Sequence, residues 1–305
     1  MIRSLRLFLA LLAIPVSSAP AIAQVAARAP APAAPTTAAP RTILFVGNSF
    51  TQGAHSAVRN YRAGSVTDLT GRGYGGVPAL FKLFAEQAGL SYAVSSVTQG
   101  GSTLGLHLAE RRPLWDRRWD VVVLQDFSTF SRERPGDPAS HVRDAGAIAA
   151  LLKRANPRAR IELLATWSRA DLIYRPGSRW TGTSIDRMAI DLRRGNDAAR
   201  RASRDIDGVI PVGQAWNRAF ATRVADPNPY DGIAFGQLNL WSYDHYHASI
   251  AGYYLEALVV FGKVTGVDPR RLGERERAAD DLGLSGPQAK ALQQVAWETL
   301  SAEWP

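Results

Sequence analysis

The chain contains no cysteine at all. That excludes thiol nucleophiles, disulfides and cysteine-ligated metal centres, and it leaves stability to a buried core that a chain of this length is able to form. A bilayer-spanning helix needs about 20 consecutive apolar residues, and the best candidate run, Leu7 to Val16, is shorter and broken by Pro15. There is no run of like charges either. The net charge of +9 comes mostly from arginines scattered along the chain. Scattered cations describe a solvated surface rather than a nucleic-acid footprint, so no nucleic-acid partner is expected. No internal repeat is visible, and composition shifts only once along the chain.

That shift is near the start. Met1 to Arg6 carries two positive charges, an apolar stretch follows, and Ala21-Ile22-Ala23 offers a small-x-small cleavage pattern. Residues 1–23 therefore read as a secretory signal peptide. The expected address is export, to the periplasm or the medium, without stable membrane insertion after cleavage. Residues 24–40 are almost all Ala, Pro and Thr, a composition that buries nothing and forms an extended tether. Residues 41–305 are then expected to form one domain.

Within that domain, short apolar runs alternate with amphipathic stretches. Strands are expected at Ile43 to Val46, Ser91 to Val97, Val121 to Leu124, Arg160 to Thr166 and Gly208 to Val212. Helices are expected at 79–88, 104–111, 139–155, 184–204, 214–224, 249–264 and 287–300. Such alternation predicts a three-layer α/β/α fold around a doubly wound, parallel, five-stranded sheet of flavodoxin-like type, with an extra C-terminal helix. Gly71-Arg72-Gly73-Tyr74-Gly75-Gly76 matches G-x-G-x-x-G in form. A poor strand precedes it, so the glycines are expected to give a flexible loop rather than a dinucleotide site.

In a parallel sheet the carboxyl ends of the strands share one rim. Ser49 in Gly47-Asn48-Ser49, the Gly100-Gly101 turn and Gln125-Asp126 all lie just past strand ends. Asp244-His245-Tyr246-His247 precedes a helix that Ser249 is placed to cap. A serine needs a base to become a nucleophile, and the base needs an orienting group. Asp244 and His247 stand close enough on one turn to form that pair, leaving the far ring nitrogen for Ser49.

These residues resemble the blocks of the SGNH hydrolases, the GDSL-type esterases and lipases. Gly47-Asn48-Ser49 is similar to their first block, Gly101 to their second and Asp244-x-x-His247 to their last. The third block departs: Leu124-Gln125-Asp126 stands where the family has Gly-x-Asn-Asp. The resemblance implies that Ser49 attacks an ester carbonyl, that His247 moves the proton, and that Asp244 orients the imidazole. It further implies an oxyanion hole made of the Ser49 and Gly101 N–H groups and the Gln125 side chain. No cofactor and no metal are implied, and the partner is a small-molecule or glycan ester.

Competing readings accompany each feature. His245 and His247 with Asp244 or Asp126 form a possible metal set, the weaker reading because no third histidine stands beside them and Ser49 would be left idle. His107 is expected to pack or hydrogen-bond. Asp126 either supports the hole or caps a turn. The G-x-S-x-G elbow is absent, since Thr51 occupies the last position, which disfavours an α/β-hydrolase fold. His55, Trp167 and Tyr246 are expected to line the substrate site. Together with other loop aromatics they suggest a platform for a sugar ring carrying an O-acetyl group, rather than a trough for a long lipid. A silent glycan-binding module and an O-acyltransferase are the alternatives on the same residues.

Overall fold

The computed structural model describes residues 39–302. The expected signal peptide and nearly all of the linker lie outside the described residues. Six strands form a single, wholly parallel sheet: β1 (Arg41–Gly47), β2 (Thr67–Asp68), β3 (Tyr92–Thr98), β4 (Val121–Leu124), β5 (Arg160–Leu164) and β6 (Gly208–Ile210), in the order β2-β3-β1-β4-β5-β6. Five of these are the expected strands in flavodoxin-like order. The sixth, β2, is a two-residue edge strand in the segment taken as a poor strand. It is held by pairing of Thr67 and Asp68 with Ser95 and Ser96, not by apolar content of its own.

Helices cover both faces: α1 (Gly76–Gln87), α2 (Leu104–Glu110), α3 (Arg112–Trp115), α4 (Ala139–Ala155), α5 (Ala170–Tyr174), α6 (Asp186–Ala202), α7 (Val212–Ala221), α8 (Ile250–Thr265), α9 (Arg277–Asp281) and α10 (Gly286–Ser301). The central strands show why two helical layers are needed. Ile43 and Phe45 of β1 and Val121 and Val123 of β4 enter one core with α1, α7, α8 and α10. Leu44, Val46, Val122 and Leu124 enter the other with α2, α4 and α6. Side chains alternate across a strand, so strands apolar at every position bury both faces.

Helix α8 is buried nearly all round, as a helix without a polar face must be. Ser249 caps it, accepting from the Gly252 N–H at 3.2 Å, and Gly266 ends it in the left-handed region. Arg160 at the start of β5 donates to the carbonyls of Lys263 and Val264 at the end of α8. Helix α10 begins with a reciprocal capping box between Ser285 and Gln288. The glycine-rich segment is open at its start, where Gly71 and Gly73 are exposed with free space around them, and packed at its end. A Cβ at Gly75 would lie 1.8 Å from the Tyr61 carbonyl oxygen, and one at Gly76 would lie 2.5 Å from that of Thr51. Among the described residues, no helix is long and apolar enough to cross a membrane.

Candidate active site

Strand register brings the distant blocks together. Gly47 stands opposite Thr98, and Val46 opposite Leu124, so the segments leaving β1, β3 and β4 emerge on one rim. The ladder continues past the strand ends, with the Gln99 N–H donating to Gly47 O and the Gln125 N–H to Val46 O. Connections leave β1 and β4 in opposite directions, which makes their adjacent ends the switch point where such sheets bind ligands.

Ser49 lies in the turn directly after β1. Gly47 has no room for a side chain: a Cβ there would lie 2.2 Å from Thr51 Oγ1 and 2.7 Å from Gln125 Oε1. Asn48 is buried and works as a cross-brace. Its amide donates to Ser102 O and Asp126 O, and its Oδ1 accepts from the Phe50 N–H. Below, Phe50, Trp167 and Trp216 stack at centroid separations of 4.1 and 4.7 Å. Trp241 packs edge-on against Trp216 and begins the loop that carries Asp244 and His247. The Ser49 turn and the histidine loop thus rest on one aromatic column.

Ser49 Oγ is 2.9 Å from His247 Nε2, and His247 Nδ1 is 2.6 Å from Asp244 Oδ2. The other carboxylate oxygen of Asp244 accepts from the N–H groups of Tyr246 and His247 at 3.1 and 2.9 Å, which fixes the acid on its own turn. Burial holds the His247 pKa below the ordinary histidine value. The Asp244 carboxylate opposes that shift, and His55 and Arg169 reinforce it. Burial would raise Asp244, but its bonds from the His247 side chain and the two backbone N–H groups outweigh this and hold its pKa down. An ionised acid, a neutral imidazole and a serine hydroxyl in line are equipped for proton removal from Ser49 and its return to a leaving group.

Gly101 adopts φ +68°, a region that favours glycine. Among the described residues neither its N–H nor that of Ser49 donates to a protein acceptor. Both residues line one cleft, and unpaired backbone N–H groups are the kind of donor that an oxyanion requires. Gln125, the expected third donor, is placed otherwise. Its side chain is buried, its Oε1 accepts from the Asn48 N–H at 2.9 Å and Thr51 Oγ1 at 3.0 Å, and its Nε2 donates to Asp126 O. The amide is drawn under the serine turn and braces it. Trp167 also departs from expectation. It is 0% exposed within the stacked column, so it supports the site and does not line it.

His55 and Tyr246 do line the cleft, which holds about 400 Å³, along with Phe127, Arg132 and Arg169. His55 stacks on the His247 ring at 4.3 Å, and its Nδ1 meets the exposed Tyr243 hydroxyl at 2.5 Å. Asp126 is a cap: its Oδ1 accepts from the Leu104 and Phe127 N–H groups, and its Oδ2 meets buried His141. His107 is buried, with Nε2 at 2.8 Å from Gly47 O, and burial lowers its pKa to about 4. The His245–His247 metal set does not form, because the His245 ring packs on Tyr230 instead. Among the described residues, the grouping of ligand-type atoms within 4.8 Å is His55, Asp244 and His247, which follows from the contact of His247 with Asp244 and His55. A larger depression of about 720 Å³, beside α7 and the end of α10, contains no nucleophile–base pair. Arg132, Arg169 and Phe127 were missed from the sequence, since only the third dimension brings their loops to the cleft.

Fold and site together define a three-layer α/β protein with a serine–histidine–aspartate relay at the carboxyl rim of its sheet. No protein-family model matches the chain, and no curated protein matches it. Among solved structures it is similar to a DUF4886 family protein from Bacteroides uniformis, at TM-score 0.60 and 17% identity, covering 87% of this chain and 96% of that one. It is also similar to LAE5, an alpha/beta hydrolase enzyme from the metagenome of Lake Arreo, Spain, at TM-score 0.50 and 16% identity, covering 75% of this chain and 97% of that one. At these identities the likeness is one of fold.

Proposed function

We propose that the protein is an exported serine esterase that hydrolyses O-acyl esters, O-acetyl esters foremost, on a carbohydrate. The observation that carries this reading is the continuous relay from Ser49 Oγ through His247 to Asp244, at 2.9 and 2.6 Å. Ser49 attacks the ester carbonyl while His247 takes its proton, and the oxyanion forms against the N–H groups of Ser49 and Gly101. His247 then gives the proton to the departing alcohol, and water repeats the sequence to free the acid. Losing one oxyanion donor typically costs about a hundredfold or more in rate.

The cleft holds about 400 Å³ and is lined by charged and aromatic side chains with no aliphatic trough, which favours a short acyl group over a long chain. Tyr243, 76% exposed and bonded to His55 at the rim, offers the flat surface that a sugar ring uses. Export rests on the charged and apolar pattern of residues 1–23. The contact between Ser49 and His247 favours turnover over a silent binding module on the same fold. Incubating the purified protein with 4-nitrophenyl acetate and with an acetylated sugar tests the reading. Hydrolysis is expected to vanish in Ser49→Ala with the fold intact, and hydrolysis that survives the substitution refutes it.

A further inference from the structure

The cleft above Ser49 is lined by two arginines, and no acidic side chain shares the lining. The arginines differ in what they hold. Arg169 is neutralised: Nε and Nη2 donate to the two carboxylate oxygens of Asp171 at 3.1 and 2.6 Å, and its guanidinium lies 3.5 Å from the Tyr246 ring centroid. Arg132, in the loop after β4, has no carboxylate in ion-pair reach among the described residues. Its own neighbour Glu133 accepts from the Ser131 hydroxyl at 3.2 Å and interacts with Arg132 only through space. Arg132 Nη2 donates to the Gly101 carbonyl at 2.7 Å, and the guanidinium lies 4.4 Å from the Phe127 ring centroid.

A guanidinium presents five N–H donors in a planar fork that matches a carboxylate. Arg132 uses one nitrogen on Gly101, which leaves the rest of that fork unspent. Tethered on one side and stacked on the other, it loses little further freedom when it captures an anion. The carbonyl that tethers it belongs to Gly101, which lines the same cleft as Ser49, so the guanidinium stands beside the proposed chemistry.

We propose that Arg132 anchors a carboxylate on the substrate, making acidic sugars or hydroxy acids the preferred alcohol portion of the ester. The inference rests on the esterase reading and narrows its substrate class. An acetyl group carries no charge, so the carboxylate belongs to the alcohol, and a guanidinium without a direct ion-pair partner in the cleft offers it a site.

The test compares an O-acetylated methyl glucuronoside with its uronate methyl ester, which carries the same acetyl groups without the charge, by following released acetate. A charge-assisted hydrogen bond corresponds to about tenfold or more in kcat/KM for the charged partner. That preference is expected to reside in KM and to shrink as salt is raised. Arg132→Gln is expected to bring the ratio close to one, and Arg132→Lys to retain part of it. A ratio near one in the unmodified protein overturns the inference while leaving the esterase reading standing. So does a variant that slows both substrates equally, because that would mean Arg132 only positions Gly101. The salt dependence of the unmodified protein supplies the test even if the variants fold poorly. Failure of the unmodified protein on both sugars and on 4-nitrophenyl acetate defeats the esterase reading, and this inference with it.

Discussion

His247 can act as a base only while its ring is neutral. Burial keeps its pKa under the ordinary value of 6.5, so the acid limb of kcat/KM should fall below that pH, with activity persisting into mildly acidic solution. Asp244 works in the opposite sense, raising that pKa while fixing the ring. Asp244→Asn should therefore shift the acid limb further down and cut the rate on the order of 10⁴-fold, the scale seen when an orienting acid is lost. An acid limb that stays in place would mean that Asp244 is not coupled to the base. Trp167 shows how a residue beside a site can be misjudged from sequence. It sits in an irregular stretch near other aromatics, as a sugar platform would, yet it stacks between Phe50 and Trp216. Trp167→Ala should cost about 3–5 kcal/mol in unfolding free energy, a loss that denaturant titration measures. A stable variant with only a raised KM would restore it to the substrate.

At the scale of elements, what matters is how the loops at the sheet rim are held. Gln125 follows β4, accepts from Asn48 and Thr51 and donates to Asp126, so removing its amide strands the buried Asn48 N–H and Thr51 hydroxyl. Each such group costs about 1–3 kcal/mol, and Gln125→Ala should lower the thermal midpoint markedly. A rate loss near a hundredfold at unchanged stability would return Gln125 to the oxyanion hole. The same site shows what was legible and why. The meeting of Ser49 and Gly101 could be read because short strands end in recognisable turns that parallel pairing brings to one rim, and Asp244 with His247 because their spacing before a capped helix allows a pair. Gln125 was placed correctly in the chain but not in space. One added methylene relative to asparagine leaves the amide's direction to its neighbours, and the Asn48 N–H and the Thr51 hydroxyl decide it. Strand β2 was unreadable for a related reason, since its two residues pair through backbone groups that carry no side-chain signal.

For the molecule as a whole, two helical layers on a parallel sheet followed from the alternation of short apolar runs with amphipathic stretches. Helix α8, an expected core helix, is buried nearly all round, and that has a consequence. Glu256 lies inside this helix, and neither carboxylate oxygen has a hydrogen-bond partner. Burial raises its pKa well above the ordinary 4.5. The folded state therefore keeps a proton that the unfolded chain releases once the pH passes about 4.5, so stability declines as pH rises. Glu256→Gln removes that titration. Its advantage in thermal midpoint over the unmodified protein should widen from about pH 5 to about pH 8; an advantage constant across that range would contradict the assignment.

The central claim is that the relay makes Ser49 a nucleophile in a chain with several other serines at hand. A fluorophosphonate probe reads this directly, because an activated serine displaces fluoride and keeps the phosphorus, and peptide mass spectrometry locates the adduct. The label is expected on Ser49 alone, abolished by Ser49→Ala and strongly slowed by His247→Ala. Labelling elsewhere, or labelling of Ser49 that is indifferent to His247, would contradict the account.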